Sequence, residues 1–139
     1  MHADLIEAYL QTAYCVYVED GRKECLRIGE KSSWLDSLLR FAGQPFAVFI
    51  TAENPRSKRL DRETNLRRTA ELLNELTRLG FVFFEGFGDG QTPDWPPERS
   101  FLVVGMNREE GLNLAAQFDQ NAFVFAEQGQ PAELVFAQL

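Results

Sequence analysis

The sequence predicts one α/β domain of the α+β kind over residues 1–139, a mixed β-sheet that starts with an N-terminal hairpin and carries helices packed on it. Three observations point there. Short apolar runs of strand length alternate with segments whose apolar residues recur at helical spacing, and no repeat or linker interrupts them. A chain of 139 residues that is 45% hydrophobic, with 12 Phe, is enough to fill one core.

Residues 3–11 read as a short helix with Leu5, Ile6, Tyr9 and Leu10 on one side. Residues 14–18 and 23–28 form a hairpin about Asp20-Gly21. A two-residue turn there sets Cys15 opposite Leu26, so Cys15 and Cys25 fall on opposite faces as reduced packing thiols. Ser32 or Ser33 caps a helix with an apolar stripe of Trp34, Leu35, Leu38, Leu39 and Ala42, and Gly43 stops it. After Pro45, residues 46–50 are apolar throughout, as expected of a central strand covered on both faces.

The next helix starts at about Asp61 or Thr64 and ends at Gly80, with Asn65, Thr69, Leu72, Leu76 and Leu79 facing inward. Residues 81–84 are a strand. Residues 85–98, with Gly86, Gly88 and Gly90, read as a turn-rich loop, and 100–104 as a further strand. Asn107 and Glu110 have capping-box spacing and open a helix through Phe118. Residues 122–125 and 133–136 close the chain as a second hairpin.

Several functions are excluded by what is missing. No apolar run approaches the roughly 18–20 residues of a membrane span, and the acidic start is unlike a secretory signal, so no membrane and a cytoplasmic location are expected. A net charge of −7 argues against broad nucleic-acid binding. His2 is the only histidine, which disfavours catalytic triads and histidine metal sites. There is no phosphate-binding lysine loop, and Gly86 to Gly90 lacks the spacing of a dinucleotide fingerprint, so no cofactor is expected. The acids Glu85, Asp89, Asp94 and Glu98 match no calcium loop, and no metal is expected either.

One stretch stands out. Between Arg56 and Arg68 lie six basic residues against two acidic ones, a local charge of +4 that leaves −11 on the rest of a −7 chain. Immediately before it, the strand 46–50 ends in Thr51-Ala52-Glu53-Asn54-Pro55. Polar side chains at the end of a strand sit where ligands bind in open sheets, and Pro55 keeps Asn54 out of right-handed helical geometry. Asn65 begins a buried helical face, and a buried amide left unpaired costs about 1–3 kcal/mol, so it should brace the Thr51–Asn54 bend. Glu98 and Ser100 share one strand face, with an ion pair from Glu98 to the basic segment favoured over a ligand contact. Gln120 and Asn121 follow a helix end, where Asn121 suits a left-handed cap or supplies further amides.

These residues together resemble a bacterial family known only as a domain of unknown function, number 3293. The matching features are FITAENP from Phe49 to Pro55, Thr64-Asn65, Trp95 with ERSFLVVG from Glu98 to Gly105, and FDQNAFV from Phe118 to Val124. They run in the same order from Leu10 to about Phe125. Two positions depart from the pattern, which has an aromatic or larger residue in place of Glu53 and Gly in place of Asp119. The second departure implies a loosely held helix end. The resemblance implies a shared polar set of Thr51, Asn54, Pro55, Asn65, Glu98, Ser100, Gln120 and Asn121, richer in amides than in proton-transfer groups.

The expected function is a pocket for a small anionic, nucleotide-like ligand at the end of strand 46–50, with Arg59 and Arg68 for the anion and no catalytic residue assigned. The alternative is an interaction or regulatory module whose basic 56–68 surface docks an acidic protein partner.

Overall fold

In the computed structural model, residues 3–91 and 95–137 are described. The elements are α1 (Ala3–Gln11), β1 (Ala13–Tyr17), β2 (Lys23–Leu26), α2 (Ser33–Ala42), β3 (Phe46–Thr51), α3 (Arg62–Leu79), β4 (Val82–Asp89), β5 (Glu98–Val104), α4 (Arg108–Gln117), β6 (Ala122–Glu127) and β7 (Glu133–Phe136). The seven strands form one sheet in the order β2-β1-β4-β5-β3-β6-β7.

The α+β class is as expected, but the sheet is antiparallel in every strand pair rather than mixed. The reason is topological. The connection β3-α3-β4 steps over β5, and β5-α4-β6 steps over β3. Each helical crossover thus joins two parallel strands with an antiparallel one between them, the split βαβ arrangement of ferredoxin-like folds. The hairpin β1-β2 extends this unit beyond β4, and β7 extends it beyond β6. The sheet curls until its edges meet, where a single parallel bridge joins Ile28 to Ala132.

Two cores follow from side-chain alternation along the central strands. Val48, Ile50, Phe101 and Val103 pack with Leu72 and Leu76 of α3 and Leu114 and Ala115 of α4. The opposite face carries Ala47, Phe49, Leu102 and Val104, which pack with Leu35 and Leu39 of α2. Helix ends form as their residues dictate. Ser32 accepts a hydrogen bond from Leu35 N, Gly43 is left-handed, and Asn107 and Glu110 complete a capping box. On α3 the buried residues are Asn65, Thr69, Leu72 and Leu76, while Leu79, expected inward, is 44% exposed at the helix end.

Two expectations are corrected here. The first hairpin turns through three residues, with Val18 N donating to Arg22 O and Asp20 and Gly21 both at positive φ. That shifts the register by one, so Tyr14 faces Leu26 and Cys15 faces Cys25, and the two cysteines form a disulfide instead of free thiols. The stretch from Gly86 to Gly88 is strand, not loop. A Cβ on Gly86 would lie 2.1 Å from Cys15 O, so glycine here permits the close approach of β4 to β1.

Candidate functional site

The bend after β3 is built around an amide pair. Asn54 sits in the left-handed region at φ 49, and the turn behind it continues through Arg56 and Ser57, both also at positive φ. Asn54 N donates to Asn65 Oδ1 at 3.0 Å, and Asn65 Nδ2 returns a bond to Asn54 Oδ1 at 2.9 Å. Leu60 N donates to the same Asn54 oxygen at 2.9 Å. Both side chains are buried, and no buried side-chain polar atom among the described residues lacks a partner. Asn65 therefore braces the bend from α3.

The exchange leaves Asn54 Nδ2 pointing at Glu98, whose Oε2 it meets at 2.6 Å, with Trp95 Nε1 donating to the same oxygen at 3.2 Å. The expected ion pair from Glu98 to the basic segment is not formed among the described residues. Two neutral donors hold the carboxyl instead. Burial pushes the Glu98 carboxyl above the usual carboxylate range, the Asn54 and Trp95 hydrogen bonds draw it partly back, and the charge of Glu53 adds to the rise. Glu98 Oε1 has no hydrogen-bond partner among the described residues.

Glu98 belongs to the lining of a cavity of about 350 Å³ between the sheet and α1. Its polar wall comes from Asn54, Glu98, Ser100, Thr51 and Gln120, and its apolar wall includes Tyr9, Tyr14, Phe49 and Trp95. Tyr9 and Tyr14 have their phenols raised chiefly by burial. A polar chain ties α1 over the space. Asn121 Nδ2 donates to Ser57 Oγ at 3.0 Å, Ser57 Oγ lies 3.3 Å from Tyr9 OH, and Tyr14 OH donates to Tyr9 O at 2.8 Å.

The remaining expected residues divide into struts and wall. Gln120 Nε2 donates to Glu53 O at 3.1 Å, and Arg68 donates to Ala52 O at 2.7 Å and to Phe118 O. These two fasten the bend to the end of α4, and Arg68 does not line the cavity. Thr51 Oγ1 donates to Arg99 O at 2.7 Å, and Ser100 Oγ to Glu98 O at 2.9 Å. With its proton so committed and no base at hand, Ser100 is not set up as a nucleophile. Arg59 lies over the Trp95 ring at 6.0 Å, on the outer side of the Asn54–Asn65 pair, where with Arg62 and Arg99 it lines a separate groove. Of the basic segment, Arg56 also faces its own chain, at Asp119. The left-handed residue at the end of α4 is Asp119, at φ 54, rather than Asn121.

Sequence reasoning did not anticipate Tyr9, Tyr14 and Phe49 as a wall, because three separate elements bring them together. Trp95 was visible only as part of the family pattern. No group of three or more His, Cys, Asp or Glu side chains among the described residues is placed to hold a metal, and His2 and Asp94 lie outside those residues. No helix among them is long and apolar enough to cross a membrane. Among the described residues, a wider depression of about 810 Å³ near Ile28, Phe46 and Phe125 is lined by no buried polar side chain.

The fold and the cavity define an α+β protein whose antiparallel sheet holds a half-apolar space lined by the half-buried acid Glu98. The family described as Protein of unknown function (DUF3293) matches residues 50–123, and the chain belongs to that family. The matched segment contains Asn54, Asn65, Trp95, Glu98, Ser100 and Gln120. No curated protein and no solved structure matches the chain.

Proposed function

We propose that this protein binds a small molecule in the cavity under α1, with a polar end at Glu98 and an apolar body against the aromatic wall. The observation that carries this is Glu98 itself, a half-buried carboxyl held at one oxygen by Asn54 and Trp95 in the wall of a half-apolar space. Ligand sites are concave and mostly apolar with a few placed polar groups, and a volume of about 350 Å³ is in their range. Asn65, Gln120 and Arg68 act from behind, holding the bend that aims Asn54.

The anionic, nucleotide-like ligand expected from the basic segment, or an acidic protein partner, is the second reading. It would use the outer groove, where Arg59, Arg62 and Arg99 converge beside Asn54 and Asn65. It ranks second because Arg99 already meets Glu85 and Arg59 stacks on Trp95. A cytoplasmic place in a bacterial cell is also part of the proposal, on the sequence and the family resemblance.

A thermal-shift screen with small neutral, cationic and anionic compounds tests the site. Hits that stabilise the wild type should lose their effect in Ala122→Leu, which fills the cavity from β6. Hits unaffected by that change, or confined to polyanions, would contradict binding in the cavity.

A further inference from the structure

Resting on the cavity being a binding site, we propose that its ligand is a small cationic amine with an apolar, ring-sized body, the ammonium group set against Oε1 of Glu98. The ionisable groups in the wall carry the inference. Among the described residues Glu98 is the only acid in the lining, Tyr9 and Tyr14 are held neutral by burial, and no Lys or Arg side chain lines the space. Arg59, Arg62 and Arg99 lie in the outer groove, and Arg68 is occupied by backbone carbonyls.

A carboxylate drawn partly out of water favours a cation or a proton beside it. Here Asn54 and Trp95 supply two neutral donors to one oxygen, and no described side chain donates to the other, which is the half of an ion pair that a ligand can complete. The wall suits the same charge. Trp95, Tyr9, Tyr14 and Phe49 line the space, and an aromatic ring face attracts an ammonium group. A carboxylate ligand would meet Glu98 as a like charge with no compensating arginine. A neutral alcohol can donate to Oε1 but gains neither the charge nor the cation–π term.

Burial raises the Glu98 carboxyl, so its proton is held to higher pH than on an exposed acid. An ammonium group displaces that proton, and amine affinity should therefore rise with pH through the range in which Glu98 titrates, while alcohol affinity stays flat.

Titration calorimetry with three compounds of one shape, 2-phenylethylamine, 2-phenylethanol and 3-phenylpropanoate, tests this on the full chain. The wild type should bind the amine about tenfold more tightly than the alcohol and the carboxylate least. Glu98→Gln keeps an acceptor for Asn54 and Trp95, and it should erase the amine preference while leaving the alcohol within about threefold. Equal or tighter binding of the alcohol or carboxylate by the wild type overturns the amine assignment and leaves the cavity as a site. An amine preference that survives in folded Glu98→Gln overturns it too. Binding of none of the three compounds removes the cavity as a site for ligands of this size, and the amine with it.

Discussion

Asn54 and Asn65 exchange two hydrogen bonds, backbone N–H to side-chain oxygen in one direction and side-chain amide to side-chain oxygen in the other. The pair joins the end of β3 to the first turns of α3 and fixes the amide that holds Glu98. Asn65→Ala leaves Asn54 N and one face of Asn54 Oδ1 unmatched in a buried place, and should cost about 2–4 kcal/mol in denaturant unfolding. Asn65→Asp should be worse, because it sets a second acceptor against Asn54 Oδ1. The double change Asn54→Ala with Asn65→Ala should cost less than the two single costs added. Additive costs would mean that the pair is not coupled.

Glu98 makes stability depend on pH with a definite sign. A carboxyl whose folded value is raised binds more protons in the native state, so its contribution is fully present below the ordinary value of 4.5 and is lost as pH rises through the folded value. Glu98→Gln removes that loss. The variant should unfold like the wild type in acid and become relatively more stable toward neutral pH. A difference of the opposite slope would contradict the burial of this acid.

The disulfide gives a third check. Cys15 and Cys25 face each other across β1 and β2 and close a loop of sequence separation 10. By loop entropy the bond is worth at most about 2–3 kcal/mol. Reductant should lower the melting temperature of the wild type and leave Cys25→Ser unchanged. Such bonds are rare in the cytosol, so a thiol count on freshly lysed cells bears on the compartment as well. Two free thiols in air-oxidised, folded protein would contradict the observed register.

Two backbone positions offer opposite outcomes. Gly86→Ala puts a Cβ against Cys15 O and should cost about 3 kcal/mol or more. Asp119 holds φ 54, a left-handed conformation that favours glycine, and its ion pair with Arg56 is long and exposed, at 3.7 Å. Asp119→Gly should therefore be neutral or slightly stabilising, and Asp119→Ala about 1 kcal/mol less stable than the Gly variant. Calorimetric melting of the three proteins decides the order. The helix end is itself well held, since Asp119 N and Gln120 N both return to α4 carbonyls.

Local chemistry explains which parts of this fold were legible in the sequence. The inward face of α3 from Asn65 to Leu76, the Ser32 and Gly43 caps and the Asn107–Glu110 box each rest on neighbours within a few residues. The bracing of the bend by Asn65 followed from the cost of burying an amide. Features set by a single residue of register or by topology were not legible. The hairpin could turn through two residues or three, and only the three-residue turn brings Cys15 to Cys25. The glycines at 86 and 88 look like turn chemistry until β1 is beside them. The aromatic wall draws on α1, β1, β3 and the approach to β5, and the arginines expected at the ligand instead face the outer groove or their own backbone.

The most direct measurement is a ¹H–¹⁵N titration that follows the Trp95 indole N–H and the Asn54 side-chain amide while 2-phenylethylamine is added. Both groups touch Glu98, at 3.2 and 2.6 Å. If the cavity is the site, these two resonances shift together and saturate, with the Arg62 and Arg99 resonances of the outer groove unmoved. Saturable shifts at Arg62 and Arg99 without any at Trp95 and Asn54, or none at all, would contradict it.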